Sequence, residues 1–386
     1  MRKTAILVLL LFSAPLVPAQ TRATVNEMER LLVSLQKQDD ESAAARLSGC
    51  ELSERVSFAR LTRWQSMLRG SQSRNALLAL TDASAFEPLP EADLPANPPP
   101  DEPAQSAILS RATEYVTNLR PRLPNFTATH TATRFQVSTR EEIAADERNL
   151  QYQQMNHAKL RYRALGPAGV KGRSLYLVGT ETSAVTFRDG AEVRSPDSSG
   201  GKEEPLVPNG LMSFGEFGPI LLVVNSDASH GRIEWDHWEK GQDTQLAIFR
   251  YLVPKDQSHF ATYSPDPAFP GIAPKPHYPA YHGEIAIDPT DGSILRITIL
   301  ADSDPNGAAT AAGIAVEYAA VPIGGRTYIC PVHAAAVSAR EASTPTSRHP
   351  AQSQLRKYIN DVSFTNYHVF RSDARVIPDT PAKPEP

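Results

Sequence analysis

The apolar residues of this chain change their spacing once, from helical before Asn125 to alternating after it, and that change dictates the fold class. Upstream, Thr24-Val-Asn-Glu27 has the form of a capping box, in which the Thr side chain and the Glu each satisfy an orphan amide. Met28, Leu31, Leu32 and Leu35 follow at helical spacing. Ser48-Gly-Cys-Glu51 reads as a second capping box. It precedes an apolar face of Leu52, Val56, Ala59, Trp64, Met67 and Leu68, with Arg55, Arg60, Arg63 and Arg69 among the polar positions. Asn75 to Leu80 reads as a third, short helix. Downstream, Phe126 to Val137 alternates Thr with other residues, as a half-buried strand does. The sequence therefore predicts an α+β protein, with N-terminal helices followed by a mainly antiparallel sheet.

Turn chemistry divides the second part into strands. Leu160, Tyr162 and Ala164 alternate, and Leu175 to Val178 reads as a short strand. Asp189-Gly190 between strand-like runs is a hairpin signal, because both central positions of such a turn favour positive φ. Strands are expected at Arg232 to Trp238 and Leu246 to Val253. Pro289-Thr-Asp-Gly292 joins Glu284–Asp288 to Ser293–Leu300, with Pro pre-setting the first turn angle and Gly taking the left-handed position. Ile314 to Ala320 and Arg326 to Val332 turn at Gly324-Gly325, and Val362 to Phe370 is the last strand. The run Ile220 to Val224 is apolar throughout, so it reads as a buried strand or helix segment.

The boundaries follow. Residues 20–85 form a helical segment. Residues 86–103 carry seven of the 33 prolines and form a connector, either a loose linker or a strap laid over the body. Residues 104–372 hold one more helix, which starts near Pro103 with Ile108, Ala112, Tyr115 and Leu119 on its stripe, and then the sheet. Residues 195–209 and 264–279 read as loops, and 373–386 as a disordered tail.

The first nineteen residues have the secretory pattern. Arg2 and Lys3 precede an apolar run from Ala5 to Phe12, and Val17 and Ala19 sit at the −3 and −1 positions of a cleavage site. A run of that length falls short of the roughly 20 residues that span a bilayer. The expected location is therefore outside the cytoplasm, in a periplasm or the extracellular space. In an oxidising compartment Cys50 and Cys330 are a candidate disulfide, or else two separate buried thiols, and their spacing does not choose. A net charge of −4 argues against nucleic acid as a partner.

No familiar catalytic fingerprint is present: no G-x-S-x-G, P-loop, dinucleotide glycine motif, C-x-x-C or H-E-x-x-H. Strict alternation would put Glu234, Asp236 and Trp238 on one face of their strand and Trp235 and His237 on the other, so the carboxylates would turn away from His237. His277 and His282 flank a Pro-Ala turn, but nothing of recognisable spacing joins them as a further ligand. No metal and no cofactor is expected. A hydrolytic carboxylate pair is fixed by distance in space, which sequence does not supply. Trp235, Trp238, Phe249 and Tyr251, with Phe260 and Tyr263 nearby, are either plain sheet core or the wall of a ligand cleft.

The segments Leu123-Pro-Asn-Phe126, Gly215-Glu-Phe-Gly218, Ile233 to Glu239 and Phe249 to Pro254 resemble those of exported proteins of acidobacterial type. The succession Gly283 to Asp288, Asp291 to Arg296, Val316-Glu-Tyr318, Ile323 to Tyr328 and Phe364 to Tyr367 is similar to the sheet of periplasmic lipoprotein carriers and outer-membrane lipoprotein-sorting proteins. That resemblance implies a curved, open half-barrel holding acyl chains, over about residues 125–372. It also implies a non-catalytic envelope protein that takes lipid or lipoprotein acyl chains on the concave face. Two other readings remain open: a structural or partner-binding envelope protein with a filled core, and a carboxylate-based hydrolase.

Overall fold

In the computed structural model, residues 21–152, 162–167, 172–194, 215–241, 244–263, 276–302, 311–341 and 355–369 are described. The leader expected at 1–19, the loop expected at 195–209, most of that expected at 264–279 and the tail expected at 373–386 lie outside them.

The helical part opens with β1 (Thr21–Ala23) and α1 (Val25–Leu35). Thr24 and Glu27 form the expected capping box, and Met28, Leu32 and Leu35 are buried. Next come α2 (Asp40–Ser48), capped by Asp39, and β2 (Cys50–Leu52), which pairs in parallel with β1. The capping box expected at Ser48 is thus not a helix start. Ser48 ends α2, Gly49 follows it as C-cap, and the next helix waits for Ser57, whose side chain accepts from the Arg60 amide. That helix is α3 (Phe58–Met67), and α4 (Ser71–Ala83) is longer than expected. Gly70 at its start presses on Asp40, whose carboxylate accepts from the amides of Gln72 and Ser73.

The proline-rich connector is a strap. The Arg55 amide donates to Pro88 O on one face of the sheet. Further along, Asn97 Nδ2 donates to Gln245 and Trp238 Nε1 donates to Pro98 O at 2.8 Å. Asp101 then caps α5 (Glu102–Thr117), which is followed by α6 (Leu119–Arg122).

The sheet elements are β3 (Phe126–Thr139), α7 (Arg140–Tyr152), β4 (Arg163–Ala164), β5 (Arg173–Arg188) and β6 (Ala191–Arg194), then α8 (Pro219–His230), β7 (Arg232–Lys240) and β8 (Gln245–Val253). A short pair follows, β9 (Thr262–Tyr263) with β10 (Pro276–His277). The rest are β11 (Tyr281–Ile287), β12 (Ile294–Ala301), β13 (Ala311–Ile323), β14 (Arg326–Glu341) and β15 (Leu355–Val369). Where a short strand at Leu175 to Val178 was expected apart from the run leading into Asp189-Gly190, β5 runs on unbroken. The apolar run at Ile220 is helical, started by Pro219 and walled in by the sheet. No helix among the described residues is long and apolar enough to cross a membrane.

The 11-stranded sheet runs β4-β5-β3-β15-β14-β13-β12-β11-β8-β7, with β6 beside β5, every pair antiparallel. It is open, so the fold is α+β as expected. Both faces are covered. On one, α5, α6 and α8 bury Phe126, Phe187, Phe249, Val316 and Val362 in the larger core. On the other, α1–α4 bury Trp64, Leu77, Phe135 and Ile359 in a second core. Alternation along β13 sorts Ile314, Val316 and Tyr318 to the larger core, while Ala315 and Glu317 join Phe58 and Asp82 under the N-terminal helices.

Candidate functional site

The four aromatic residues singled out by sequence do come together, as packed wall. Trp235 lies 4.8 Å from Trp238 and 5.5 Å from Phe249 between ring centroids, edge to face. Phe249 and Tyr251 are buried in the larger core, and the Tyr251 hydroxyl donates to Thr298 O at 2.6 Å. The gap between α5, α8 and the sheet nearby amounts to only ≈ 90 Å³. Cys50 and Cys330 are free thiols. They pack with different cores, Cys330 in the larger and Cys50 against the second. Burial pushes the Cys330 thiol up to about 12.

Around His237 the expected orientation is reversed. A bulge between Trp235 and His237 breaks the alternation of β7. His237 Nδ1 now faces Asp236 at 2.7 Å and Nε2 faces Glu239 at 3.2 Å. Glu239 also receives Arg55 at 2.6 Å and Arg296 at 2.7 Å. Burial alone would raise the Glu239 carboxyl, but the two arginines outweigh it and hold it far below the usual carboxylate range. His282 pairs instead with Asp302, and His277 sits exposed on β10.

A roomier space lies on the other face, between the N-terminal helices and one end of the sheet. This cleft of ≈ 1050 Å³ is walled by Leu31, Leu47, Leu52, Ala79 and Leu80 from the helical layer. Its floor is the cross-strand row Lys357, Val137, Leu175, with Ile359 beside it. Arg46, Cys50, Glu51 and Glu87 add polar groups. Lys357 is half-buried and forms no hydrogen bond or ion pair among the described residues. Burial lowers its pKa, against the pull of Glu51 and Glu87. A largely apolar cleft with an ammonium that forms no ion pair among the described residues suits a ligand that is greasy along its length and anionic at one end.

Near the middle of the same face, three buried ligand-type residues converge. His333 Nε2 on β14 lies 2.8 Å from Asp361 Oδ2 on β15 and 3.4 Å from Asp82 Oδ1 on α4. Phe58 stacks on the imidazole at 5.3 Å. Burial first, and then the Asp361 charge, push the Asp82 carboxyl up to about 7. Burial opposes charge on His333, but its hydrogen bonds to Asp361 and Asp82 prevail and raise it well above the ordinary imidazole value. The adjoining cavity is ≈ 20 Å³. That is room for a water and far too little for a glycoside, so this carboxylate pair has no substrate space.

Neither the cleft nor the Asp-His-Asp group was singled out from sequence. Their residues come from α1, α2, β2, α4, β3, β5, β14 and β15, and no local spacing links them. Comparison with protein-family models, with curated proteins and with solved structures found no match.

Proposed function

We propose that this protein is an exported, non-catalytic carrier or receptor for an amphipathic, acyl-chain-like ligand. The ligand lies in the cleft between the N-terminal helices and the sheet, with its anionic end at Lys357. The observation that carries this reading is the ≈ 1050 Å³ cleft itself, floored by Val137, Leu175 and Ile359 and holding the Lys357 ammonium, which forms no ion pair among the described residues. Its size is at the upper end of small-molecule sites, which run about 300–1,000 Å³. The leader-like first nineteen residues support an envelope setting, and the hairpin succession similar to lipoprotein carriers supports the ligand class. The site is placed on the face opposite the aromatic cluster, whose side chains already fill their own space.

Native mass spectrometry after gentle extraction, followed by titration with a fluorescent fatty acid, tests the proposal. A co-purified lipid, or saturable uptake that Lys357→Glu weakens at least about tenfold by reversing the charge at the floor, is the expected result. No bound lipid and no uptake by folded protein sinks it.

A further inference from the structure

The Asp82–His333–Asp361 group carries an inference separate from the cleft. Among the described residues it is the only group of three or more His, Cys, Asp or Glu side chains whose ligand atoms converge, all within 4.8 Å of one another. All three residues are buried. Asp82 Oδ2 is sequestered from solvent and has no hydrogen-bond partner among the described residues. A buried carboxylate oxygen left unpaired is costly, so a group beyond the described residues is called for there. Asp82 and His333 both line the small cavity of ≈ 20 Å³, which has space for one water.

Charge and geometry name the missing group. Once a metal displaces their protons, the two carboxylates and the neutral imidazole carry a charge of about −2, which a divalent cation cancels. With bonds of about 2.0–2.2 Å, the corners of a tetrahedral zinc site lie about 3.3–3.6 Å apart. The His333 nitrogen already stands 2.8 Å and 3.4 Å from the two carboxylate oxygens, so small side-chain shifts complete three corners. One nitrogen and two oxygens is a donor set that zinc accepts.

We propose that Asp82, His333 and Asp361 bind one Zn²⁺ ion, with a water in the adjoining cavity as fourth ligand. Because Asp82 belongs to the N-terminal helices and the other two to neighbouring central strands, the ion fastens the helical layer to the sheet. It is a structural site. The cavity has no space for a substrate, and Phe58 covers the imidazole.

The test uses the full chain, stripped with a chelator and titrated with ZnCl₂ by calorimetry and with CoCl₂ by visible spectroscopy. The expected result is one ion per chain, a raised melting temperature, and the visible bands of tetrahedral cobalt. His333→Gln and Asp361→Asn each weaken zinc binding by more than about 100-fold, whereas His237→Gln leaves it within about twofold. If those variants fail to fold, hydrogen exchange on the wild type decides: zinc must slow exchange across the helix that carries Asp82. A folded wild type that binds neither ion overturns the proposal, as does undiminished zinc binding by folded His333→Gln. Neither outcome touches lipid uptake in the cleft, so the two proposals fail separately.

Discussion

Arg55 Nη2 and Glu239 Oε1 meet at 2.6 Å, with side chains only 8% and 6% exposed, and so join the N-terminal helical layer to the last strand of the sheet order. The same oxygen takes Arg296 at 2.7 Å and His237 at 3.2 Å. One carboxylate thus holds two buried guanidinium groups that would otherwise repel. Glu239→Gln is expected to cost about 3–5 kcal/mol, because it leaves the buried Arg55 without its carboxylate, while Arg296 keeps Glu284 at 3.0 Å. Arg55→Met is expected to cost less, since Arg296 remains to pair with Glu239. Urea denaturation of the two variants checks the order, and a smaller loss for Glu239→Gln would contradict it.

The same carboxylate sets a pH dependence. Its folded pKa is depressed, so its stabilisation is fully present above the unfolded value of about 4.3 and is lost as pH falls towards the folded value. Wild-type stability is therefore expected to drop more steeply below about pH 4 than that of Glu239→Gln. His237 acts in the opposite sense. Burial disfavours its charge, but the hydrogen bonds to Glu239 and Asp236 raise its pKa. Its contribution is present below about pH 6.5 and fades as pH rises through the folded value, a fade that His237→Gln should abolish. Denaturation midpoints across a pH series read both slopes.

Gly283 makes room for a hydroxyl bridge. A Cβ there would come within 1.9 Å of Thr298 O and 2.8 Å of the Tyr251 hydroxyl. Gly283→Ala is expected to cost about 1–3 kcal/mol through overpacking. Tyr251→Phe, which removes only the bond to Thr298 O, is expected to cost about 0.5–1.5 kcal/mol. Thermal unfolding of both variants would show whether the alanine is the worse of the two.

Trp238 holds the proline strap through its bond to Pro98 O. Trp238→Phe keeps most of the apolar contact and loses that bond, at a cost of about 0.5–1.5 kcal/mol. Cleavage within residues 86–100 should accelerate under limited proteolysis. An unchanged cleavage rate would mean that the strap is held elsewhere.

Turn chemistry was the most legible feature of the sequence. Asp189 and Gly190 both have positive φ, as do Gly324 and Gly325, and the Asp288 amide donates to Ser293 O across the turn closed by Gly292. These signals are local, so neighbouring residues suffice to read them. Two helices were less legible. In α7 the first turn carries Glu141 and Glu142, and few apolar residues mark a face. In α8 the residues from Ile220 to Val224 are apolar all round, which erases the period. The bulge at Trp235 has no signature in the strand itself, yet it decides which way His237 points. The Asp82–His333–Asp361 group was the least legible, because each member looks like an ordinary surface charge until β14 and β15 pair beneath α4.

The position of β15 has a consequence for how the chain is finished. This strand lies between β3 and β14 in the interior of the sheet, although it comes last among the described strands. It supplies Ile359 and Lys357 to the cleft and Asp361 to the buried cluster. During synthesis, the N-terminal helices therefore have no complete floor until β15 has been made. Such distant pairing slows folding and rewards a chain that stays open until its end arrives. Helices made before every strand of the large sheet are thus sealed by the last of its described strands.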